Sequence, residues 1–337
     1  MTSAVDDPLR AARVAVDHGR FREGWDLLDV QPLPVRRSGE WQLLVAMARW
    51  RLGEFAPSHA AALQARDRYR SAGDTDGEMR AENVAAAGAF ALGRLAEAER
   101  GFGRALTLAE RANDLLMMAR CANNLGNVAL YVGRHDAALA SYRLARGRFH
   151  RVGMHHGEAE ALINIGLVWH ELERHEDALE AADAALELAE LIQARRLVAQ
   201  ALAMRGEALA MTEHTPIGQL LVQRALDMAR AEGDQLAQIE ALRLLCNIER
   251  NAGQLSAARG YGEAALTLAR RLVHPWATAT VLKDLAAVHQ QHGNGRWAVH
   301  ALTEAAELYA AMGAEQRAAA MRERARQVEQ PPSRPRS

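Results

Sequence analysis

The sequence of 337 residues has few of the residues that build sheets or disulfide frameworks. Aromatic residues make up 5% of the chain, there are only two cysteines, and Ala and Leu dominate the rest. Because aromatic and β-branched side chains favour strands whereas Ala and Leu favour helices, this composition predicts an all-α chain. Cys121 and Cys246 lie far apart and form no C-x-x-C pair, so neither disulfides nor a thiolate metal site is expected, and a reducing compartment fits.

Lysine is almost absent, since Lys283 is the single lysine among 41 basic residues. No Gly-rich loop ends in Lys-Ser or Lys-Thr, which excludes a P-loop nucleotide site. The formal net charge is −1, so no bulk field attracts nucleic acid, which is not an expected partner. No uncharged apolar run approaches the ~20 residues of a membrane span, and the first seven residues lack a signal-peptide core. The sequence predicts a cytoplasmic protein that does not contact the membrane.

Three columns of small residues recur with a step of 40 residues through most of the chain. The first column is Ala46, Ala86, Gly126, Gly166, Gly206, Cys246 and Ala286. The second is Ser58, Ala98, Ala138, Ala178, Gly218, Ala258 and Ala298, and the third is Ala65, Ala105, Ala145, Ala185, Ala225, Ala265 and Ala305. Ordinary Ala-rich helices would not share one phase over seven units, so the columns indicate a repeat.

The columns predict a hairpin of two closely packed helices, A and B, in each repeat. Small residues let helix axes approach closely, so the first column on helix A is expected to face the other two columns on helix B. Leu139, Tyr142 and Leu144 are expected to fill the layer between hairpins.

The turns between the helices keep the same register. The turn from A to B has Gly53, Gly93, Gly133, Glu173, Glu213, Gly253 and Gly293; glycine there suits a left-handed helix end, and the two glutamates are expected to use another turn. Asp74, Asp114 and Asp234 are predicted N-caps, and Pro216 and Pro275 are predicted first-turn prolines.

The two ends of the chain depart from the repeat. Gly19 precedes Gly53 by 34 residues rather than 40, so residues 1–34 are predicted to form a shorter capping hairpin, with helices at 8–18 and 21–30 and a connector at 31–34. Seven repeats are predicted over 35–313 and a charged capping helix over 314–330, which would solvate the end of the stack. Residues 331–337 are expected to be disordered.

Residues 120–145 resemble a tetratricopeptide repeat, whose consensus places Leu-Gly in helix A and two alanines in helix B. The matching residues are Asn124, Leu125, Gly126, Gly133, Ala138, Tyr142 and Ala145. The resemblance covers residues 36–313, although the period exceeds the family's usual ~34 and the proline that closes helix B is missing. The longer period is similar to the subgroup with kinesin light chains, Leu-Gly-Asn-repeat adaptors and bacterial regulators. The resemblance implies a right-handed α-solenoid of antiparallel hairpins, a superhelix whose concave groove binds a peptide or protein.

In this family helix A lines the groove, and the resemblance therefore implies a set of partner-binding residues. These are Arg80, Asn83, Phe90, Arg120, Asn123, Asn124, Asn127, Tyr131, Glu160, Asn164, His170, Arg243, Asn247 and Arg250. Asparagine amides both donate and accept hydrogen bonds, so Asn124 and Asn164 could hold a peptide backbone. Arg80 and Arg120 could bind a carboxylate in forked geometry. The alternative interpretation is that these polar residues lie on a solvated concave face and bind no partner.

No arrangement of residues for catalysis or cofactor binding emerges from the sequence. His170 and His175 are five residues apart, whereas two helical zinc ligands on one face need a step of four. No metal, no cofactor and no enzymatic activity are therefore expected. The predicted function is a scaffold or adaptor that binds a protein or peptide. A peptide-sensing regulatory receptor that acts on a separate effector and a self-associating homo-oligomer are the alternatives.

Overall fold

The structure, a computed structural model, describes residues 7–18, 20–212 and 214–329. The described residues form eighteen helices and no strand. The first hairpin and its connector contain α1 (Arg10–Asp17), α2 (Phe21–Asp29) and α3 (Leu33–Arg36). The repeats contain α4 (Gly39–Arg51), α5 (Phe55–Ala72), α6 (Thr75–Ala91), α7 (Leu95–Ala112), α8 (Leu115–Tyr131), α9 (His135–Arg151), α10 (His155–Glu171), α11 (His175–Leu191), α12 (Arg195–Ala210), α13 (Thr215–Ala231), α14 (Gln235–Asn251), α15 (Leu255–Arg271), α16 (Pro275–Gln291) and α17 (Gly295–Ala311), and α18 (Glu315–Glu329) follows.

These helices fall into two compact units, whose boundary lies within α8. The N-terminal unit ends at Val128 and the C-terminal unit begins at Ala129. Within each unit consecutive helices pack as hairpins, such as α4 with α5 and α12 with α13. The fold is therefore an all-α solenoid of tandem helical hairpins, and none of the described helices is long and apolar enough to cross a bilayer.

The small-residue columns are buried between the helices of each hairpin. All seven alanines of the third column are at most 2% exposed. In the N-terminal unit, the Ser58 hydroxyl donates to the Ala46 carbonyl oxygen at 2.7 Å, which joins the first and second columns. In the C-terminal unit, a Cβ atom on Gly218 would lie 2.4 Å from the Gly206 carbonyl oxygen. The helices thus cross at their backbones, as the columns predict.

The turn after α10 differs from the sequence-based expectation. Glu173 was expected to use a different turn from the glycine repeats, yet its φ is +59°, in the same left-handed region as Gly133. Gln193 and Val273 also adopt positive φ, at +55° and +50°. The packing of the hairpins imposes the same left-handed geometry on these described turns, and it prevails over the local cost of ~1–2 kcal/mol for a residue with a Cβ. Glu213 and Gly19 lie outside the described residues.

Most of the predicted helix starts are confirmed. The carboxylates of Asp74, Asp114 and Asp234 accept hydrogen bonds from the backbone N–H groups of Gly77, Met117 and Ala237. Pro216 and Pro275 lie in the first turns of α13 and α16. His274 is a further cap, because its Nδ1 accepts from the Ala277 N–H at 3.1 Å.

One local prediction was wrong, and another gains a detail. Residues 31–34 were predicted as a connector, and the helical turn Leu33–Arg36, α3, begins within them, with Pro34 in its first turn, where proline's fixed φ suits a helix start. Leu144 was expected to fill the layer between hairpins with Leu139 and Tyr142; it is 49% exposed, whereas Tyr142 is fully buried. The predicted disordered tail, residues 331–337, lies outside the described residues.

Candidate functional site

The inner face of the C-terminal unit encloses a cavity of about 920 Å³, called the chamber below. The A helices α10, α12, α14 and α16 form its walls, and residues from the end of α8 and from α18 complete the lining. Apolar side chains on the walls include Ile163, Leu167, Met204, Leu244 and Trp276. Six arginine or lysine and five aspartate or glutamate side chains also line it. The chamber therefore combines apolar surface with many charged groups.

A network of ion pairs crosses the walls of the chamber. Arg243 Nη1 donates to Asp284 Oδ2 at 2.9 Å, and Arg243 also pairs with Glu240. Asn247 Nδ2 donates to the same Asp284 oxygen at 3.0 Å, and Lys283 Nζ lies 3.5 Å from Oδ1. Arg243 and Asp284 are only 11% and 8% exposed. The network joins α14 to α16 and compensates charges that would be costly to bury alone.

The charges in this network stabilise one another. Burial alone would raise the pKa of Asp284, but Lys283, Arg243 and the hydrogen bonds that it accepts lower it to about 2. A second pair joins α10 to α12, since His170 Nε2 lies 3.0 Å from Glu207 Oε1. Burial would lower the pKa of His170, yet the charge and hydrogen bond of Glu207 outweigh it and raise that pKa. Glu207 is likewise ionised, with its pKa lowered by His170 against the effect of burial.

Arg317 of α18 connects the last helix to the start of the C-terminal unit; we call these contacts the clasp. Its Nε donates to the Tyr131 carbonyl oxygen at 2.9 Å, and its Nη2 donates to the Leu130 carbonyl oxygen at 2.7 Å. The same Nη2 pairs with Glu171 at 2.7 Å. Glu171 also contacts His135 Nε2 at 2.7 Å. One guanidinium therefore satisfies two carbonyl groups that end α8 and one carboxylate that ends α10.

Aromatic rings extend the clasp from α8 to α16 and α17. The rings of Tyr131 and Trp276 stack with centroids 3.6 Å apart, and Trp276 meets Tyr309 edge to face at 5.3 Å. Arg317 lies 5.1 Å from the centroid of the Trp276 ring. Such stacking and cation–π contacts add to apolar burial. The clasp therefore joins the end of α8 to α16, α17 and α18 through residues that line the chamber.

The N-terminal unit contains the asparagine and arginine residues that the sequence singled out on α6 and α8. Asn124 Nδ2 donates to Asn83 Oδ1 at 3.2 Å, so part of the hydrogen-bonding capacity of these amides is used between neighbouring A helices. Asn123 is 9% exposed, and Phe90 and Asn127 are half-buried. Arg80 and Arg120 are exposed.

The sequence-predicted residues of the C-terminal unit gather mainly at the chamber. Tyr131, Asn164, His170, Arg243, Asn247 and Arg250 all line it. Glu160 does not; it is exposed and lies 3.7 Å from His156. Several of these side chains contact one another or their neighbours rather than standing open to solvent. A role for the set in binding stays a prediction.

Among the lining residues that escaped the sequence-based selection are Glu207, Trp276, Tyr309 and Arg317. Glu207 directly follows Gly206 and therefore occupies the repeat position of Asn127 and Asn247. The register could have identified it. Trp276 and Arg317 offered no such signal, because their role depends on a contact between distant repeats. Arg317 had been assigned to a helix that merely solvates the end of the stack, yet its side chain is 19% exposed.

Comparison with known proteins identifies relatives of this chain. Residues 77–149 and 117–191 match the family model of the tetratricopeptide repeat. The regulatory protein AfsR of Streptomyces griseus is 29% identical over 238 residues, which cover 69% of this chain. The chain spans 23% of the length of that relative.

Two solved structures share the fold over nearly their whole length. NprR in complex with its cognate peptide NprX has a TM-score of 0.67 at 10% identity, and the match covers 98% of this chain and 99% of that chain. A Rap protein complexed with competence and sporulation factor has a TM-score of 0.65 at 13% identity and covers 96% of both chains. At these identities the likeness shows the fold alone.

Proposed function

Because the chain is a tetratricopeptide-repeat protein, we propose that it binds a short peptide segment in the chamber of the C-terminal unit. The observation that carries this proposal is the chamber itself, at about 920 Å³. Ligand pockets typically measure roughly 300–1,000 Å³, a range that suits a short extended peptide better than a folded domain. Apolar wall residues would take peptide side chains, and polar groups such as Asn164 and Gln200 would take backbone groups.

The regulatory alternative is a receptor whose peptide changes its action on a separate effector. The neighbours in complexes with NprX and with competence and sporulation factor support this version, and so does the likeness to a regulatory protein. The clasp supports it as well, because a ligand that rearranges contacts among the lining residues would couple binding to conformation. The exposed Arg80 and Arg120 of the N-terminal unit would serve as a surface for a protein partner in either version.

Affinity selection from a pool of short peptides tests the proposal. The protein is mixed with the pool and separated by rapid gel filtration, and the retained peptides are identified by mass spectrometry. Ala287 is half-buried and lines the chamber, so the indole of Ala287→Trp would occupy part of it and should sharply reduce retention. Ala140→Trp, on the exposed side of α9, is the matched control and should retain the same peptides. Equal retention by both variants would contradict binding in the chamber.

A further inference from the structure

One arginine of the chamber has no partner for its buried nitrogen. The Nε atom of Arg250 is shielded from solvent, and it meets no hydrogen-bond acceptor among the described residues. Arg250 lines the chamber from the last turn of α14. A buried N–H group without an acceptor is destabilising, and more so when the group is charged. Such a group therefore needs an explanation.

The polar residues that neighbour Arg250 on α14 have ion-pair or hydrogen-bond partners, in contrast to Nε of Arg250. Arg243, Asn247 and Arg250 lie on one face of the helix, at steps of four and three residues. Arg243 pairs with Glu240 and Asp284, and Asn247 donates to Asp284. No ion pair joins Arg250 to a carboxylate of the described part of the chain. The row of polar residues thus ends at an uncompensated cation.

The carboxylates that line the chamber are already engaged, with one exception. Glu171 pairs with Arg317, Glu207 with His170, and Glu240 and Asp284 with Arg243. The exception is Glu173, an exposed residue in the turn after α10. On the cationic side Arg324, like Arg250, lines the chamber and pairs with no carboxylate among the described residues.

We propose that Arg250 is the recognition point for a carboxylate of the bound peptide. Because Nε is shielded from solvent, the side chain would turn toward the chamber on binding. The guanidinium would then donate from Nε and a terminal nitrogen to the two oxygens of one carboxylate, in the forked geometry of arginine–carboxylate pairs. This pairing would supply the missing acceptor and the missing charge together. The proposal rests on the proposed function, since it names the ligand chemistry of the same chamber. The carboxylate belongs to an Asp or Glu side chain or to the peptide's C-terminus.

Affinity selection with three matched peptide pools tests this assignment. The first pool has Asp or Glu at one position and an amidated C-terminus, the second replaces that residue with Asn or Gln, and the third is the second with a free C-terminus. Wild-type protein should prefer one of the carboxylate pools to the neutral pool. Arg250→Gln removes the charge, so that preference should fall about ten- to hundredfold, while binding of the neutral pool stays unchanged. Arg271→Gln, on exposed Arg271 at the end of α15, should retain the full preference.

The outcomes separate the two proposals. A preference for carboxylates that persists in Arg250→Gln overturns the assignment, as does retention of all pools without any preference. Loss of the preference in Arg324→Gln but not in Arg250→Gln places the subsite on α18 and also overturns it. In those three cases peptide binding stands, and Ala287→Trp still decides whether it takes place in the chamber. If the wild-type protein retains no peptide from any pool, the proposed function fails, and the subsite fails with it. Thermal unfolding of each variant checks that it is folded.

Discussion

At the scale of single residues, the close crossing of α12 and α13 depends on two glycines. A Cβ on Gly218 would lie 2.4 Å from the carbonyl oxygen of Gly206 and 2.7 Å from the backbone nitrogen of Ala210. These neighbours are backbone atoms, which cannot move aside as a flexible side chain can. The α13 backbone therefore rests directly on α12, and a methyl group at this crossing would push the two helices apart.

Gly218→Ala should destabilise the protein by about 1–3 kcal/mol or more, the usual cost of overpacking. Gly260→Ala on α15 is the matched control, since a Cβ at Gly260 meets no atom within 4 Å. Alanine is a better helix former than glycine, so the control should gain up to about 1 kcal/mol. Urea denaturation followed by circular dichroism measures both changes. A neutral or stabilising effect of Gly218→Ala would contradict the close crossing.

The sequence predicts these contacts well because the repeat samples them seven times. A single glycine such as Gly206 says little, but its alignment with Gly166 and Cys246 identifies a helix crossing. The left-handed φ of Glu173 and Val273 could not be predicted in the same way. Neither residue type favours that region, and only the geometry shared with the glycine repeats places them there.

At the scale of the helices, the A helices have two roles: their side chains line the chamber, and they pair with side chains of neighbouring A helices. The sequence does not separate these roles. The phase of the A helices in the repeat selected Asn164, His170 and Asn247, which line the chamber, but also Glu160, which does not. It does not indicate which of them pair with one another, because the pairing of His170 with Glu207 depends on the spacing between α10 and α12. Asn247 illustrates the difference, as its amide is predicted to face a ligand but donates to Asp284.

The pair between α10 and α12 should appear in the titration of His170. The pKa of His170 is raised from its ordinary value of 6.5, and that of Glu207 is lowered from 4.5. Stability from the histidine is fully present below 6.5 and is lost as the pH rises through the raised pKa. Stability from the glutamate is fully present above 4.5 and is lost as the pH falls through the lowered pKa. Both contributions are therefore complete between pH 4.5 and 6.5.

Glu207→Gln removes the charge that holds the proton on His170. Burial and Arg243, which both lower the pKa of the imidazole, should then bring it below 6.5, whereas the wild-type value should exceed 6.5. Titration of the His170 ring signals by NMR measures the change. Glu304→Gln, whose carboxylate pairs with Arg270 on the neighbouring helix, is the control and should leave the His170 signals unaltered. An unchanged pKa in Glu207→Gln would show that the pair does not form.

At the scale of the whole molecule, the clasp is the feature that the sequence predicts least. Arg317 bonds to residues that precede it by 146 to 187 positions in the chain. A repeat pattern describes contacts between neighbouring hairpins, so it contains no information on a contact between the first and last helices of the C-terminal unit. Trp276 and Tyr131 likewise stack although three hairpins separate their helices in the chain.

Release of the clasp should expose the interior of the chamber. Ala203 lines the chamber and is 7% exposed, so a cysteine introduced there by Ala203→Cys reports access for a thiol reagent. The native Cys121 and Cys246 are at most 1% exposed, and burial raises the pKa of Cys246 to about 12, so both should react slowly. In this background Arg317→Ala removes hydrogen bonds from a charged donor, worth about 1.5–3 kcal/mol, and the labelling rate should rise about tenfold or more. Arg322→Ala removes an exposed arginine of the same helix and should leave the rate unchanged. Equal labelling rates in the two variants would mean that Arg317 does not restrict access to the chamber. The measurement requires no ligand.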